Sequence, residues 1–176
     1  MNELLNISIS KEIHIYRLMF KKIDESCFLQ RKLSFFIADM IQSIEYLHKN
    51  SFFHRDIKPG NTLIDHDLNP YISDYETIHH PIIEDEEITN NICSKHYAAP
   101  ELYKGKNVSF PTDIYSFGVL IEELIKKTDI KNVSKNIIKL YKSCKNYNPD
   151  KRPTILQIKN ALLNEFNSFS IFENIL

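Results

Sequence analysis

Apolar side chains recur at three- and four-residue steps along several stretches of the chain, a pattern typical of helices with one buried face. The clearest stretch spans residues 33–47, and its buried face is predicted to comprise Leu33, Phe36, Ile37, Met40, Ile41, Ile44 and Leu47. Cationic residues at 48 and 49 then favour a helix end. A second stretch, 113–125, is apolar nearly all round, so we expect this helix at the centre of the fold.

Two further helices are predicted towards the carboxyl end. One spans 134–145, and another begins at Thr154, where Gln157 three residues later completes a capping box. The predicted inward faces are Ile137, Ile138, Leu140, Tyr141 and Cys144 in the first helix, and Ile155, Ile158, Ala161, Leu162 and Phe166 in the second.

Strand signals are few. Short apolar runs at 61–65 and 70–74 flank a turn-rich segment and predict a small hairpin. Residues 13–20 alternate weakly and predict one strand. Residues 75–100 show no period, and a segment of that length inside one domain is usually functional. The expected fold is mostly α with a small β element.

Composition narrows the function classes. The 176 residues suffice for one domain, and a net charge of −1 gives no electrostatic case for binding nucleic acid or an anionic membrane. Apolar stretches end well short of 18 residues, which predicts no membrane span. Three widely spaced cysteines and a first segment unlike a secretory signal predict a cytoplasmic or other intracellular location.

The candidate chemistry lies in residues 54–61, His-Arg-Asp-Ile-Lys-Pro-Gly-Asn. Asp56 can accept a proton from a hydroxyl, Lys58 can neutralise a phosphoryl oxygen, and Asn61 can ligate a divalent cation. The segment resembles the H-R-D-x-x-x-x-N catalytic loop of eukaryotic protein kinases. The alternative is an ordinary polar loop that follows a helix.

Residues 74–76, Asp-Tyr-Glu, stand where that family has D-F-G, 18 residues after Asp56. The resemblance implies that Asp74 holds the Mg²⁺ that bridges the phosphates. Glu76 departs from the pattern, because glycine adopts backbone angles that glutamate adopts only at a cost. A strand-end aspartate that caps a turn is the alternative reading of Asp74.

Three further segments are similar to kinase motifs. Ala99-Pro100-Glu101 matches A-P-E, and its glutamate is expected to pair with Arg152. Asp113 opens a D-x-Y-S-F-G segment and is expected to accept hydrogen bonds from catalytic-loop amides and to cap its own helix. Ser94 is expected to hydrogen-bond Asp56 and Lys58, with a solvated loop serine as the alternative.

From about Leu33 to Phe166, the chain therefore resembles the C-terminal lobe of a serine/threonine protein kinase, a helical bundle with a small β-hairpin around the central helix 113–125. The implied division is a short amino-terminal remnant at 1–32, the lobe at 33–167 and a tail at 168–176. The implied cofactors are ATP and Mg²⁺, and the implied partner is a protein substrate with a serine or threonine hydroxyl. Asp56 and Lys58 would be catalytic, Lys58, Asn61, Leu63 and Asp74 would bind the cofactor, and Asn61 and Asp74 would ligate the metal.

The other kinase lobe is not recognisable in the sequence. Its phosphate-cradling loop needs three glycines within six residues. This chain has three glycines in all, and the nearest two are 13 positions apart. We therefore expect a partner that supplies this lobe, or a truncated fragment of a full kinase. A catalytically weak pseudokinase-like binding or scaffold module is the alternative function.

One regulatory hypothesis concerns Arg55. An arginine before the catalytic aspartate resembles kinases whose activation segment is phosphorylated, and an arginine fork pairs well with phosphate. The acidic run Glu84–Glu87 would then take the place of the phosphate permanently. A solvated acidic face is the alternative.

Overall fold

The chain was analysed as a computed structural model. The structure describes residues 26–66, 69–75, 78, 94–104, 109–128, 130 and 133–173, and for 26–31, 104 and 166–173 it describes the backbone alone. The predicted strand at 13–20, the acidic run at 84–87 and Glu76 lie outside the described residues, as does the side chain of Phe166.

Four helices and one hairpin make up the described fold. Helix α1 is Ser26–Lys49, strands β1 and β2 are Thr62–Ile64 and Pro70–Ile72, and helices α2, α3 and α4 are Phe110–Thr128, Lys135–Cys144 and Ile155–Glu173. Each of these elements was predicted, and the mostly helical fold class is confirmed. Helix α1 begins ahead of the predicted boundary at 32 and α4 runs past the one at 167, so the division of the chain stays a prediction.

One hydrophobic core joins the helices and the hairpin. Helix α2 packs on α1 and α3, and α4 closes the bundle against α1 and α3. The predicted apolar face of α1 is buried from Leu33 to Leu47, and in α2 Phe117, Ile121 and Leu124 are fully enclosed. The prediction that α2 lies at the centre is therefore confirmed. Its Ile125 packs against the core only in part.

The two carboxyl-terminal helices begin where the sequence predicts. Ser134 caps α3 by accepting a hydrogen bond from the backbone N–H of Ile137 at 3.2 Å. At the start of α4, the Thr154 N–H donates to Gln157 Oε1 at 2.8 Å and the Gln157 N–H donates to Thr154 Oγ1 at 3.3 Å, which is a capping box. Ile158 and Leu162 are buried, while Ile155 and Ala161 pack at the margin of the core.

The hairpin lies against α1 and carries the two halves of the candidate site at its ends. Its strands are antiparallel, with Thr62 opposite Ile72 and Leu63 opposite Tyr71. Thr62, Ile64 and Ile72 face the core, whereas Leu63 and Tyr71 face away from it. The catalytic loop enters β1 through a short 3₁₀ turn, Pro59–Asn61, and the segment that follows β2 contains Asp74.

Candidate active site in the catalytic loop

The Asp56 carboxylate is the meeting point of three donors. Lys58 Nζ donates to Oδ2 at 2.5 Å, Asn61 Nδ2 donates to the same oxygen at 3.0 Å, and the Ser94 N–H donates to Oδ1 at 3.0 Å. Asp56 itself is buried, with only 4% of its surface exposed. These bonds fix both the position and the rotamer of the candidate base.

Ser94 joins the catalytic loop to the segment that follows it. Its hydroxyl accepts a hydrogen bond from Lys58 Nζ at 2.8 Å, while its backbone N–H bonds Asp56. The prediction that Ser94 contacts both residues is confirmed, although the contact with Asp56 is made by the main chain. A merely solvated serine does not fit this geometry.

Asn61 is oriented so that its amide oxygen is available to a cation. Its Nδ2 donates to the Asp56 backbone carbonyl at 2.9 Å as well as to the Asp56 carboxylate. Within the described part of the chain these two bonds account for the amide nitrogen, and they leave Oδ1 as the atom that could ligate a cation. An amide oxygen and a carboxylate are the ligand types that Mg²⁺ takes, so the donor set fits the implied metal.

Asp74 is placed by the neighbouring residue, Ser73. The Ser73 N–H donates to the Asn61 carbonyl at 2.9 Å, and His54 Nε2 donates to the Ser73 carbonyl at 2.9 Å. Asp74 itself adopts a left-handed backbone with φ of 67°, a conformation that aspartate tolerates better than most residues. The metal-ligand role of Asn61 and Asp74 stays a prediction.

The buried aspartate of α2 holds the catalytic loop from beneath. Asp113 is fully buried, and its carboxylate accepts the N–H groups of His54 and Arg55, each at 2.9 Å. The prediction for these amides is confirmed. The prediction that Asp113 caps its helix is wrong, because α2 begins at Phe110 and Asp113 lies within its first turn.

Two histidines take part that the sequence reasoning missed. His48 donates through Nε2 to Asp113 Oδ2 at 2.9 Å, and its ring lies 4.6 Å from that of Phe110. His54 links the loop to Ser73, as described above. Since 65 positions separate His48 from Asp113, no local sequence signal reports the pair.

The segment of residues 94–104, which follows the hairpin in the chain, is anchored on α2. Ser116 Oγ donates to the Tyr97 carbonyl at 2.8 Å, and the Tyr97 hydroxyl donates to Glu123. Burial alone would raise the pKa of Glu123, but hydrogen bonds from Lys127 and Tyr97 outweigh it and hold the pKa below its usual value. The anchored segment carries Ser94 to the catalytic loop.

Glu101 and Arg152 form the predicted ion pair. Arg152 Nη1 and Nη2 each donate to one Glu101 carboxylate oxygen at 2.6 Å, and the side chains are 0% and 5% exposed. Burial opposes ionisation of Glu101, but the hydrogen bonds from Arg152 and its neighbours outweigh it, so the pKa lies below its usual value. The pair joins the chain before α2 to the turn before α4.

Comparison with known proteins agrees with this geometry. The family model described as a protein kinase domain matches residues 5–132. The chain belongs to the protein kinase family.

Curated relatives are named as serine/threonine kinases. A probable serine/threonine-protein kinase of Dictyostelium discoideum is 34% identical over 98 residues, which cover 56% of this chain and 15% of that protein. Protein kinase C delta type of Mus musculus is 31% identical over 108 residues, which cover 61% of this chain and 16% of that protein. A probable LIM domain-containing serine/threonine-protein kinase of Dictyostelium discoideum is 26% identical over 159 residues, which cover 78% of this chain and 24% of that protein. The chain thus spans less than a quarter of the length of these relatives.

The structure also bears on membrane insertion. Among the described helices, none combines the length and the apolar character needed to cross a bilayer.

Proposed function

We propose that this chain carries the catalytic base and the metal ligands of a serine/threonine protein kinase, which transfers a phosphoryl group from ATP to a protein hydroxyl. The observation that carries the proposal is the shared Asp56 carboxylate, bonded by Lys58, Asn61 and the Ser94 main chain. A scaffold has no need of a buried carboxylate oriented in this way, whereas a base must be positioned before its substrate arrives.

Each residue has a distinct role in this proposal. Asp56 orients the substrate hydroxyl and accepts its proton, and Lys58 neutralises charge on the transferred group. Asn61 and Asp74 hold Mg²⁺, which would supply charge neutralisation at the phosphates. Leu63 lies on the face of the hairpin that points away from the core, where an apolar side chain suits the flat surface of an adenine.

Other phosphate contacts have to come from outside this site. A single lobe provides one side of a nucleotide pocket, whereas pockets normally bury 70–90% of their ligand. Each missing charge-assisted hydrogen bond is worth about 1.5–3 kcal/mol. We propose that a further segment or a partner supplies the second lobe, and we expect turnover by these 176 residues alone to be slow.

A phosphorylation assay tests the catalytic role. With Mg²⁺, radiolabelled ATP and a generic basic protein substrate, Asp56→Asn should lower the rate by about 10²–10⁴-fold, because the base is lost while the shape is kept. Asp150→Asn is the matched control, since Asp150 is exposed on the turn before α4, and it should match the unmodified chain. Equal and negligible rates for the unmodified chain and Asp56→Asn would instead favour the binding or scaffold module that Glu76 suggests.

The proposal of a second lobe has its own test. Reading the transcript upstream of the Met1 codon should reveal an in-frame glycine-rich segment if the lobe belongs to the same chain. If it does not, purification under native conditions should recover a partner that raises the phosphorylation rate. If neither the upstream segment nor such a partner is found, the binding module becomes the favoured function.

A further inference from the structure

The segment after β2 contains a hydrogen bond that the D-F-G pattern of the family has no atom to form. The Tyr75 hydroxyl donates to the Ile72 carbonyl at 2.8 Å. The phenylalanine of that pattern carries no side-chain donor, so the bond depends on the tyrosine of this chain. It closes a loop over residues 72–75, and Asp74 lies within this loop.

Asp74 adopts a backbone conformation that needs support from its neighbours. Its φ of 67° lies in the left-handed region, which a residue with a Cβ adopts only at a cost. Such a residue keeps its conformation when the surrounding structure determines it. On the amino side this support comes from Ser73, whose N–H bonds the Asn61 carbonyl and whose carbonyl bonds His54.

Tyr75 gives the corresponding support on the carboxyl side. Its carbonyl accepts the Ile78 N–H at 3.2 Å, and its ring lies edge-on to the His54 ring with 6.3 Å between the centroids. The hydroxyl bond to Ile72 then joins this side of the loop to the end of β2. Because Tyr75 is 61% exposed, the bond competes with water, so its removal should have a graded effect.

We propose that Tyr75 is a positioning residue, whose hydroxyl keeps Asp74 in the conformation in which its carboxylate shares a cation with the Asn61 amide oxygen. This inference rests on the metal-ligand role proposed above for Asp74 and Asn61. Loss of the hydroxyl leaves the ring in place but frees the loop, so Asp74 occupies the binding conformation for a smaller fraction of the time. Apparent affinity falls with that fraction, so the cation is bound more weakly while the fold is kept.

A titration with Mg²⁺ alone tests the positioning role. In the ¹⁵N-labelled chain, nuclear magnetic resonance shifts of the Asn61 side-chain amide report binding at constant ionic strength and without nucleotide. Tyr75→Phe should raise the dissociation constant for Mg²⁺ by about three- to tenfold, as expected for the loss of one hydrogen bond. Tyr71→Phe is the matched control, because its hydroxyl donates to Asp65 Oδ2 at 3.1 Å, outside the loop that contains Asp74. It should leave the dissociation constant unchanged.

Asp74→Asn separates failure of the positioning role from failure of the metal site. It should abolish the shifts caused by Mg²⁺. Shifts that persist in Asp74→Asn, or no shifts in the unmodified chain, would overturn the metal-ligand role and the inference together. If Asp74→Asn abolishes binding while Tyr75→Phe binds as the unmodified chain does, the positioning role alone is wrong.

The two tyrosine variants also separate positioning from general stability. Their free energies of unfolding in urea should be similar, because each loses one exposed hydrogen bond. Weaker Mg²⁺ binding in Tyr75→Phe alone would then report the position of Asp74. Equal weakening of Mg²⁺ binding in Tyr75→Phe and Tyr71→Phe would overturn the inference.

Discussion

At the scale of single residues, buried charges join parts of the chain that are far apart in sequence. Asp113 reaches back to His48 and the catalytic loop, and Glu101 reaches forward 51 positions to Arg152. Asp113 and Glu101 are both buried, so removing the main partner of either carboxylate leaves a charge in the interior that its remaining hydrogen bonds compensate only in part. The pair of Glu101 and Arg152 makes this testable, since it lies away from the candidate base.

Arg152→Met should destabilise the chain by about 3–5 kcal/mol, because the Glu101 carboxylate would then be buried without its partner. The free energy of unfolding in urea, followed by circular dichroism, measures this loss. Adding Glu101→Leu should return part of the stability, since a buried pair can often be replaced by apolar residues at little cost. A double variant no more stable than Arg152→Met would show that Arg152 acts mainly through its other bonds, to the Asn146 and Pro111 carbonyls.

The lowered pKa of Glu101 predicts how stability depends on pH. A carboxyl group whose pKa is lower in the folded state stabilises the fold at pH values above its unfolded pKa of 4.5. This contribution is lost as the pH falls through the folded pKa. Glu101→Gln should therefore lower the free energy of unfolding at neutral pH but make its decline in acid shallower. Urea unfolding measured from neutral pH down to about pH 3 compares the two slopes. Equal slopes would mean that Glu101 does not change protonation on unfolding.

The sequence predicted the residues of the site better than it predicted their supports. Asp56, Lys58 and Asn61 are close in sequence, so their spacing alone brings them together, and the pairing of Glu101 with Arg152 followed from the family resemblance. His48 and His54 were missed as supports, because their partners are a buried helix residue and a main-chain carbonyl that no local pattern marks. The helix-cap role of Asp113 failed because α2 starts three residues earlier than the motif suggests.

At the scale of elements, the close approach of two helices determines which residue can occupy one position of the central helix. Gly118 in α2 faces α3, where an added Cβ would lie 2.7 Å from Cys144 Cβ and 3.0 Å from the Tyr141 carbonyl oxygen. The crossing of α2 and α3 thus depends on the absence of a side chain. Apolar periodicity predicted both helices, but it carried no information on how closely they pack.

Gly118→Ala should destabilise the chain by about 1–3 kcal/mol through overpacking. The sign of the change in stability is informative, because alanine is the better helix former by about 1 kcal/mol and would stabilise an uncrowded helix. Urea unfolding gives the measurement, and Cys144→Gly combined with Gly118→Ala gives the control. The double variant should lose less stability than Gly118→Ala and Cys144→Gly lose in sum, because the removed Cβ relieves the contact, whereas strictly additive losses would contradict the proposed contact.

At the scale of the whole molecule, the core predicts a single cooperative unit in the described part of the chain. Buried side chains from all four helices and from the hairpin belong to one cluster, and Phe117 at its centre is fully enclosed. The hairpin, which carries both halves of the candidate site, has few backbone bonds of its own. Its position therefore depends on the bundle beneath it.

Phe117→Ala should destabilise the molecule by about 3–5 kcal/mol, because it leaves a cavity in the shared core. Far-ultraviolet circular dichroism, which reports the helices, and near-ultraviolet circular dichroism, which reports tyrosine packing, should give one common unfolding midpoint in both proteins. Separate midpoints in the unmodified chain would show that the hairpin and the bundle unfold independently.

In the proposed reaction, the hydrogen bonds that Asp56 already accepts restrict how an alcohol can approach it. A carboxylate offers about four lone-pair directions. Oδ2 already receives Lys58 and Asn61, and Oδ1 receives the Ser94 main chain. Within the described surroundings one direction therefore stays open, on Oδ1, so in the proposed reaction an incoming serine or threonine would hand over its proton along a single path. If Asp56 acts as the proposed base, its own neighbours would select the angle of attack before any recognition of the surrounding peptide.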